Sequence, residues 1–279
     1  MIHLRQNSDI DFIRSILIIL MILVHIVNFG NAYPHLKAGI LSFMMPTFLV
    51  ITGYLVNINK IFRQFGKYLL CLILPYVFMV TGYSVLSYFL PVRDGITILS
   101  LDQICEKIFV TSIGPYWFIQ TMIICGSLYY LSFLIICRGG KKWSDNVRGI
   151  IDGLFLFAIL LVLIAQTPVL SITAATYYFL GTAIRQSRTD FAKLFRPSAY
   201  AFLLWGLILI RNDKYNWGFV AVAFSSWCCI CSLMWLRKYF MNLPQNRMFP
   251  RIESFLLYIG RNTLPVRKFN IELQFLVQA

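Results

Sequence analysis

Charged side chains are scarce in this 279-residue chain: Asp, Glu, Lys and Arg together make up 13% of it, roughly half of the ~25% carried by an ordinary soluble domain. That scarcity leaves no room for a sizeable soluble domain, and the longest hydrophilic connection runs only from about Val92 to Lys107. Acidic residues are the scarcest, 11 against 25 Lys and Arg. The resulting charge of +14 nevertheless sits in short gaps between apolar runs. It lacks the aromatic interleaving on a basic face that single-strand binding needs, so no nucleic-acid partner is expected. Cysteine is sparse too. The seven cysteines form no CxxC pair, and the Cys228-Cys229-x-Cys231 group lacks His or Asp at ligand spacing. Small buried apolar side chains are their expected role, and no metal is expected. No internal repeat and no domain boundary are evident, so residues 1–279 read as a single membrane domain.

What the chain has in excess is apolar sequence, 59% of residues with a mean hydropathy of +0.72. The runs cover Ser15 to Phe29, Ala38 to Val56, Tyr68 to Leu90, Ile108 to Cys137, Gly153 to Ile184, Ser198 to Ile210 and Tyr215 to Leu236, with a weaker one from Ile252 that Arg261 interrupts. A spanning helix needs about 20 apolar residues. The stretch Gly153 to Ile184 would be roughly 48 Å as one helix, too long for a hydrocarbon core of about 30 Å. Two short helices meeting at a Gln166-Thr167-Pro168 turn fit better. The cations support that division. With the stretch split, connections rich in Lys and Arg alternate with poor ones along the chain, 17 residues against 5. The rich set, from Arg5 and Arg14 to Arg247 and Arg251, would face the cytoplasm together with the N-terminus. The expected fold is all-α, a polytopic transmembrane bundle of eight main helices plus an incomplete or broken ninth. No small-residue cleavage site follows the first run, which is read as a retained helix rather than a signal peptide.

The first helix holds the most informative polar groups. Ser8, Asp9 or Asp11 can cap it, and Arg14 and His25 follow in an otherwise apolar run. Eleven helical positions separate those two by about 20° in azimuth and roughly 16 Å along the axis, and Asp11 lies about 40° from His25. One stripe is therefore polar at three depths. Arg14 is either a snorkelling anchor paired with Asp11 or a functional cation. His25, past the midpoint of the run, is either a histidine satisfied by a neighbouring helix or the obvious proton acceptor of the chain. Two further groups stand out. Gly114-Pro115-Tyr116-Trp117-Phe118-Ile119-Gln120 breaks or starts a helix and places aromatics at an interface. Thr52-Gly53-Tyr54-Leu55 ends the second helix ahead of Arg63 and Lys67, cations that could receive phosphates as well as orient the chain.

Taken in order, these motifs resemble the bacterial membrane acyltransferase-3 family, the membrane O-acyltransferases that include sugar and surface-polysaccharide O-acetyltransferases. Arg14 to His25 matches its first-helix spacing of a basic residue, ten residues and a histidine. Asp11 with Arg14, Phe48 to Leu55 (FLVITGYL) and Gly114 to Ile119 match further segments, and Arg63 or Lys67 ahead of Pro75-Tyr76 does so more loosely. The resemblance implies transfer of an acyl group, usually acetyl, from cytoplasmic acyl-CoA to a hydroxyl of a cell-envelope glycan or glycolipid, in the bacterial inner membrane. His25 would be the catalytic base, Arg14 would place the donor or stabilise negative charge, and Asp11 would orient Arg14. Tyr54, Arg63, Lys67, Trp117 and Gln120 would support the donor, with acyl-CoA as substrate, membrane lipids around the helices and no tightly bound cofactor. Members have about ten helices. Their late Gly-x-Asn-Ser/Thr-Leu segment appears here as Gly260 to Leu264, but the following histidine and helix do not, which reads as a truncation or alteration after about residue 266. A transporter or lipid-linked glycan flippase, and an inactive truncated homologue, are the alternative readings.

Side-specific labelling tests the topology. Impermeant reporters placed beside Arg148 and Arg188 are expected to read out on one face of the membrane, and a reporter at Pro168 on the other.

Overall fold

The computed structural model describes residues 8–25, 32–89, 95–136, 147–211, 218–242 and 249–262. Among the described residues there are eleven α-helices, one 3-10 turn and no strand, an all-α chain. The helices are α1 Ser8–His25, α2 Pro34–Leu55, α3 Phe62–Phe89, α4 Leu101–Phe109, α5 Trp117–Ile136, α6 Val147–Ile164, α7 Ile172–Gln186, α8 Phe191–Leu194, α9 Ala199–Arg211, α10 Phe219–Met241 and α11 Phe249–Asn262. Five of them, α2, α3, α5, α6 and α10, are long and apolar enough to cross a membrane by length and composition. The shorter or more charged α1, α7 and α9 bring the principal helices to eight among the described residues, with α11 as a ninth.

The long central stretch is divided as the charge pattern demands: α6 ends at Ile164 and α7 begins at Ile172. The run from Ile108 is divided as well. Ile108 and Phe109 close the short α4, the 3-10 turn Gly114–Tyr116 follows, and α5 starts only at Trp117. Ser100 caps α4 by accepting from the Gln103 amide, while the Gln103 side chain accepts from Thr97 N at 3.1 Å and Ile98 N at 3.2 Å. In lipid every backbone polar group must be satisfied within the helix. Hydroxyls inside the helices use the same ladder: Ser15 donates to the Phe12 carbonyl at 2.7 Å, Thr47 to Phe43 at 2.6 Å and Ser127 to Ile123 at 2.7 Å.

The chain divides into two compact units, Met1–Ile51 with Ser187–Leu264 and Thr52–Gln186 with Pro265–Ala279. In the first, α1 packs along α11 and against α10, and α9 packs along α10. Its buried surface includes Ile13, Leu17, Met44, Ile230 and Met234, together with the thiols of Cys228, Cys229 and Cys231. In the second, α5 lies against α6, α3 and α7, and α4 rests on α3. The polarity of α3 shows what surrounds such a helix: Leu72, Tyr76, Val80 and Ser84 are buried at one face, whereas Leu70, Leu74 and Phe78 are exposed. A continuous exposed apolar stripe of this kind is a lipid-facing surface.

Among the glycines of the second unit, Gly53 makes the closest approach to a neighbouring backbone. A Cβ there would fall 2.3 Å from the Tyr178 carbonyl oxygen and 3.1 Å from the Thr182 amide nitrogen, both backbone atoms of α7. Only glycine lets the end of α2 approach α7 this closely. Gly53→Ala is expected to lower stability by ~1–3 kcal/mol, the usual cost of overpacking. Gly82→Ala, where nothing lies within 4 Å, is expected to leave stability unchanged or raise it by up to about 1 kcal/mol through helix propensity. Thermal unfolding of the two variants in detergent makes the comparison.

Candidate active site

The polar stripe of α1 belongs to the first unit. Asp9 and Asp11 sit in the opening turn of the helix, where the free amides favour negative charge. Each is also met by an arginine from late in the chain. Arg237 on α10 donates through Nη1 to Asp9 Oδ1, and through Nε and Nη2 to Glu253 Oε1 of α11 at 2.8 and 2.6 Å. Arg261 on α11 donates through Nε to Asp11 Oδ2 at 3.2 Å. The Arg237, Asp9 and Glu253 side chains are 13%, 18% and 11% exposed, so this network is largely withdrawn from solvent. Below it, Phe12 packs with Phe249 and Leu256, flanked by Ile16, Phe240 and Leu257.

Arg14 is half-buried one turn beyond Asp11. His25 is the last residue of α1, and its side chain lies outside the described residues. The continuous helix between them keeps the expected relation of about 20° in azimuth and roughly 16 Å in height. Asp11, Arg14 and His25 are thus carried on one rigid element of the first unit.

The other candidate residues belong to the second unit, at two places. Tyr54, the residue after Gly53, is buried with the Arg185 guanidinium over its ring at 5.5 Å. Next to Arg185, Gln186 donates to the Tyr129 hydroxyl. Lys60, in the α2–α3 connection, places its ammonium 4.9 Å from the Tyr68 ring centroid, and its carbonyl accepts from the Tyr130 hydroxyl at 3.1 Å. Tyr130 in turn stacks on Phe65 at 3.9 Å. Arg63 and Lys67 project from the first turns of α3, exposed and one turn apart. The connection carrying Lys60 and the last turn of α7 carrying Arg185 therefore lie at the same end of this unit.

Trp117 and Gln120 stand elsewhere, at the start of α5. Gln120 is buried and donates to the Val110 carbonyl at 3.3 Å, tying α5 to the end of α4. Trp117 is partly exposed and meets Phe118 edge to face at 6.3 Å. Around them Tyr76, Val80 and Ile113 form a small core against Tyr83 and Tyr116. Among the described residues no group of three His, Cys, Asp or Glu is placed to hold a metal ion.

A family model described as an acyltransferase domain matches residues 7–266. The chain belongs to the acyltransferase-3 family. No curated protein and no solved structure matches it. For an acyltransferase-3 member the match spans α1 through α11, so both the Asp11–Arg14–His25 stripe and the basic, tyrosine-rich end of the second unit fall inside the acyltransferase domain.

Sequence reasoning missed Arg237, Glu253 and Arg261 around the stripe, and Lys60, Arg185, Tyr129 and Gln186 in the second unit. The signal for the first group was present: carboxylates opening an otherwise apolar helix, and an arginine interrupting another apolar run, need each other in a low-dielectric medium. Nothing local marks the second group.

Burial lowers the pKa of the Lys60 ammonium from its ordinary 10.5, because desolvation disfavours the charged form. The neutral amine, which is the nucleophile, is then populated at lower pH than in a free lysine. Acylation of Lys60 by an amine-directed reagent, followed by peptide mass spectrometry across pH, is expected to reach its midpoint below 10.5.

Proposed function

We propose that this acyltransferase-3 protein moves an acyl group, most simply acetyl, from cytoplasmic acyl-CoA to a hydroxyl of a cell-envelope glycan or glycolipid, in a bacterial inner membrane with its N-terminus in the cytoplasm. The observation that carries this reading is the α1 stripe, with Asp11, Arg14 and His25 stacked on one helix within a domain of the acyltransferase family.

Chemistry assigns the parts. The acceptor oxygen attacks the thioester carbonyl while the His25 imidazole takes its proton. The tetrahedral intermediate carries an oxyanion, and Arg14 supplies the positive charge that stabilises it or seats the donor. Collapse of the intermediate breaks the carbon–sulfur bond, and the departing thiolate takes the proton back from the imidazolium. The products are the ester and the free thiol, with the histidine restored. Arg63, Lys67 and the Lys60 and Arg185 cations that lie on tyrosine faces supply what a nucleotide thioester needs, positive charge for its phosphates and aromatic surface for its base. Tyr54 holds Arg185 in this arrangement, while Trp117 and Gln120, toward the other end of α5, shape the packing of α5 against α4 and α3.

Mass spectrometry of envelope glycans tests the proposal. Matched cells carrying wild-type protein, His25→Ala protein or no protein are expected to differ by one acyl mass, present only with wild type. An acyl mass retained with His25→Ala removes His25 from the chemistry. An acceptor that changes sides of the membrane without gaining an acyl group replaces transfer by transport.

A further inference from the structure

The helix α11 turns one narrow face toward the protein. Its buried positions are Phe249, Glu253, Leu256 and Gly260, and its exposed ones include Ile252, Phe255 and Tyr258. Spacings of four, three and four residues put the buried set on a single face. That face carries Phe249 and Leu256 into the apolar cluster with Phe12, and sets the Glu253 carboxylate and Gly260 beside them. The glycine is a contact of unusual closeness. A Cβ on Gly260 would sit 1.9 Å from the Asp11 carbonyl oxygen and 2.7 Å from its carbon, so α11 meets the backbone of α1 at the residue that its neighbour Arg261 binds through the side chain.

The two ion pairs grip α1 from different directions. Asp9 and Asp11 are two residues apart, about 200° around the helix. Arg237 reaches the first from α10 and Arg261 reaches the second from α11. Hydrophobic contacts at Phe12 alone tolerate rotation, because they are non-directional. Directed pairs on nearly opposite sides do not. A slip of α1 by one turn, about 5.4 Å, breaks both pairs and leaves partly buried charges of both signs without partners. Buried ion pairs are weak contributors to stability compared with apolar packing, and their best-attested use is to fix register.

The rotation so fixed is that of the functional stripe. Arg14 lies about 60° and His25 about 40° from Asp11 around the same helix. With side chains at a radius of 5–6 Å, a 20° rotation displaces them by about 2 Å, and a 1 Å misplacement can cost about 10²-fold in rate. Resting on the acyl-transfer reading above, we infer that α11 is a clamp on α1, and that Arg261, Gly260, Arg237 and Glu253 are positioning residues which set the azimuth and depth of Arg14 and His25 without touching substrate.

Full-length protein in its membrane, with cysteines introduced as Phe12→Cys and Leu256→Cys, provides a geometric readout. Disulfide trapping of that pair is expected in the otherwise wild-type sequence and is expected to fall in Arg261→Met and Gly260→Ala. On the protein without added cysteines, these two substitutions are expected to lower kcat for acyl transfer by about 10²-fold, with a much smaller change in the KM for the acyl donor. Arg261→Lys, which keeps the charge, is expected to restore a large part of both. A variant that merely misfolds loses its membrane level and raises no such split between kcat and KM. Trapping that is unaffected by Arg261→Met overturns the clamp, as does trapping that falls while kcat stays at the wild-type value. Absence of acyl transfer by the wild-type protein overturns the proposed function instead, and the trapping experiment still decides the clamp.

Discussion

The first unit depends on one constraint: carboxylates that open an apolar helix must be neutralised where water is scarce. An isolated carboxylate withdrawn from water costs several kcal/mol even after the surroundings relax. Asp9 and Asp11 meet that requirement through Arg237 and Arg261, and Glu253 gives Arg237 a second carboxylate. The consequence reaches beyond the charges. Because the two arginines come from α10 and α11, satisfying α1 also fixes which helices lie beside it, and the aromatic cluster of Phe12, Phe249 and Phe240 fills the space that the pairs enclose. Electrostatic necessity selects the neighbours, and packing then completes the contact.

The second unit is held differently. Its closest approach at a glycine is steric, the bare Cα of Gly53 against the backbone of α7. Its polar ties are hydroxyls and amides at the ends of helices, such as Tyr130 to Lys60, Gln186 to Tyr129, Tyr76 to the Ile108 carbonyl and Gln120 to the Val110 carbonyl. Its cations are not paired with carboxylates in these contacts but spread over tyrosine rings. A guanidinium or ammonium on an aromatic face keeps its positive field available to an anion, whereas one locked in a carboxylate pair has it largely cancelled. Arg237 and Arg261 of the first unit are thus locked in carboxylate pairs, whereas Arg185 of the second lies on a tyrosine ring.

Much of the architecture was legible because lipid is an undemanding solvent to read. Spans must be long and apolar, and cations mark their ends, so the break near Pro168 follows from length and charge alternation alone. The start of α5 was harder. Hydropathy counts Ile108 and Phe109 with the following run, although they belong to the separate helix α4, because an average over residues has no direction. The motif glycines were visible as motifs, yet their reason was not. That Gly53 faces Tyr178 and Gly260 faces Asp11 is information about pairs, and a single chain does not state its pairs. The Asp11–Arg261 contact spans 250 positions, and only the oddity of carboxylates opening one apolar helix and an arginine interrupting another apolar run pointed toward it. The side-chain stripe of α1 could be read directly because its members share one helix.

The separation of those partners gives the protein a clock. A chain made at ~5–20 residues per second would hold the opening turn of α1 at the membrane for about 12–50 s before Arg261 exists, and for nearly as long before Arg237. Throughout that interval the carboxylates can rely only on headgroups, water and the amides of their own helix. They lack the arginine partners they have in the finished molecule. The ion pairs of the first helix are therefore among the last that the growing chain can complete. Interruption of synthesis just short of residue 261 would leave a chain with nearly all of its spans and with Asp11 lacking Arg261, a species that membrane quality control could distinguish by the charge it still shows.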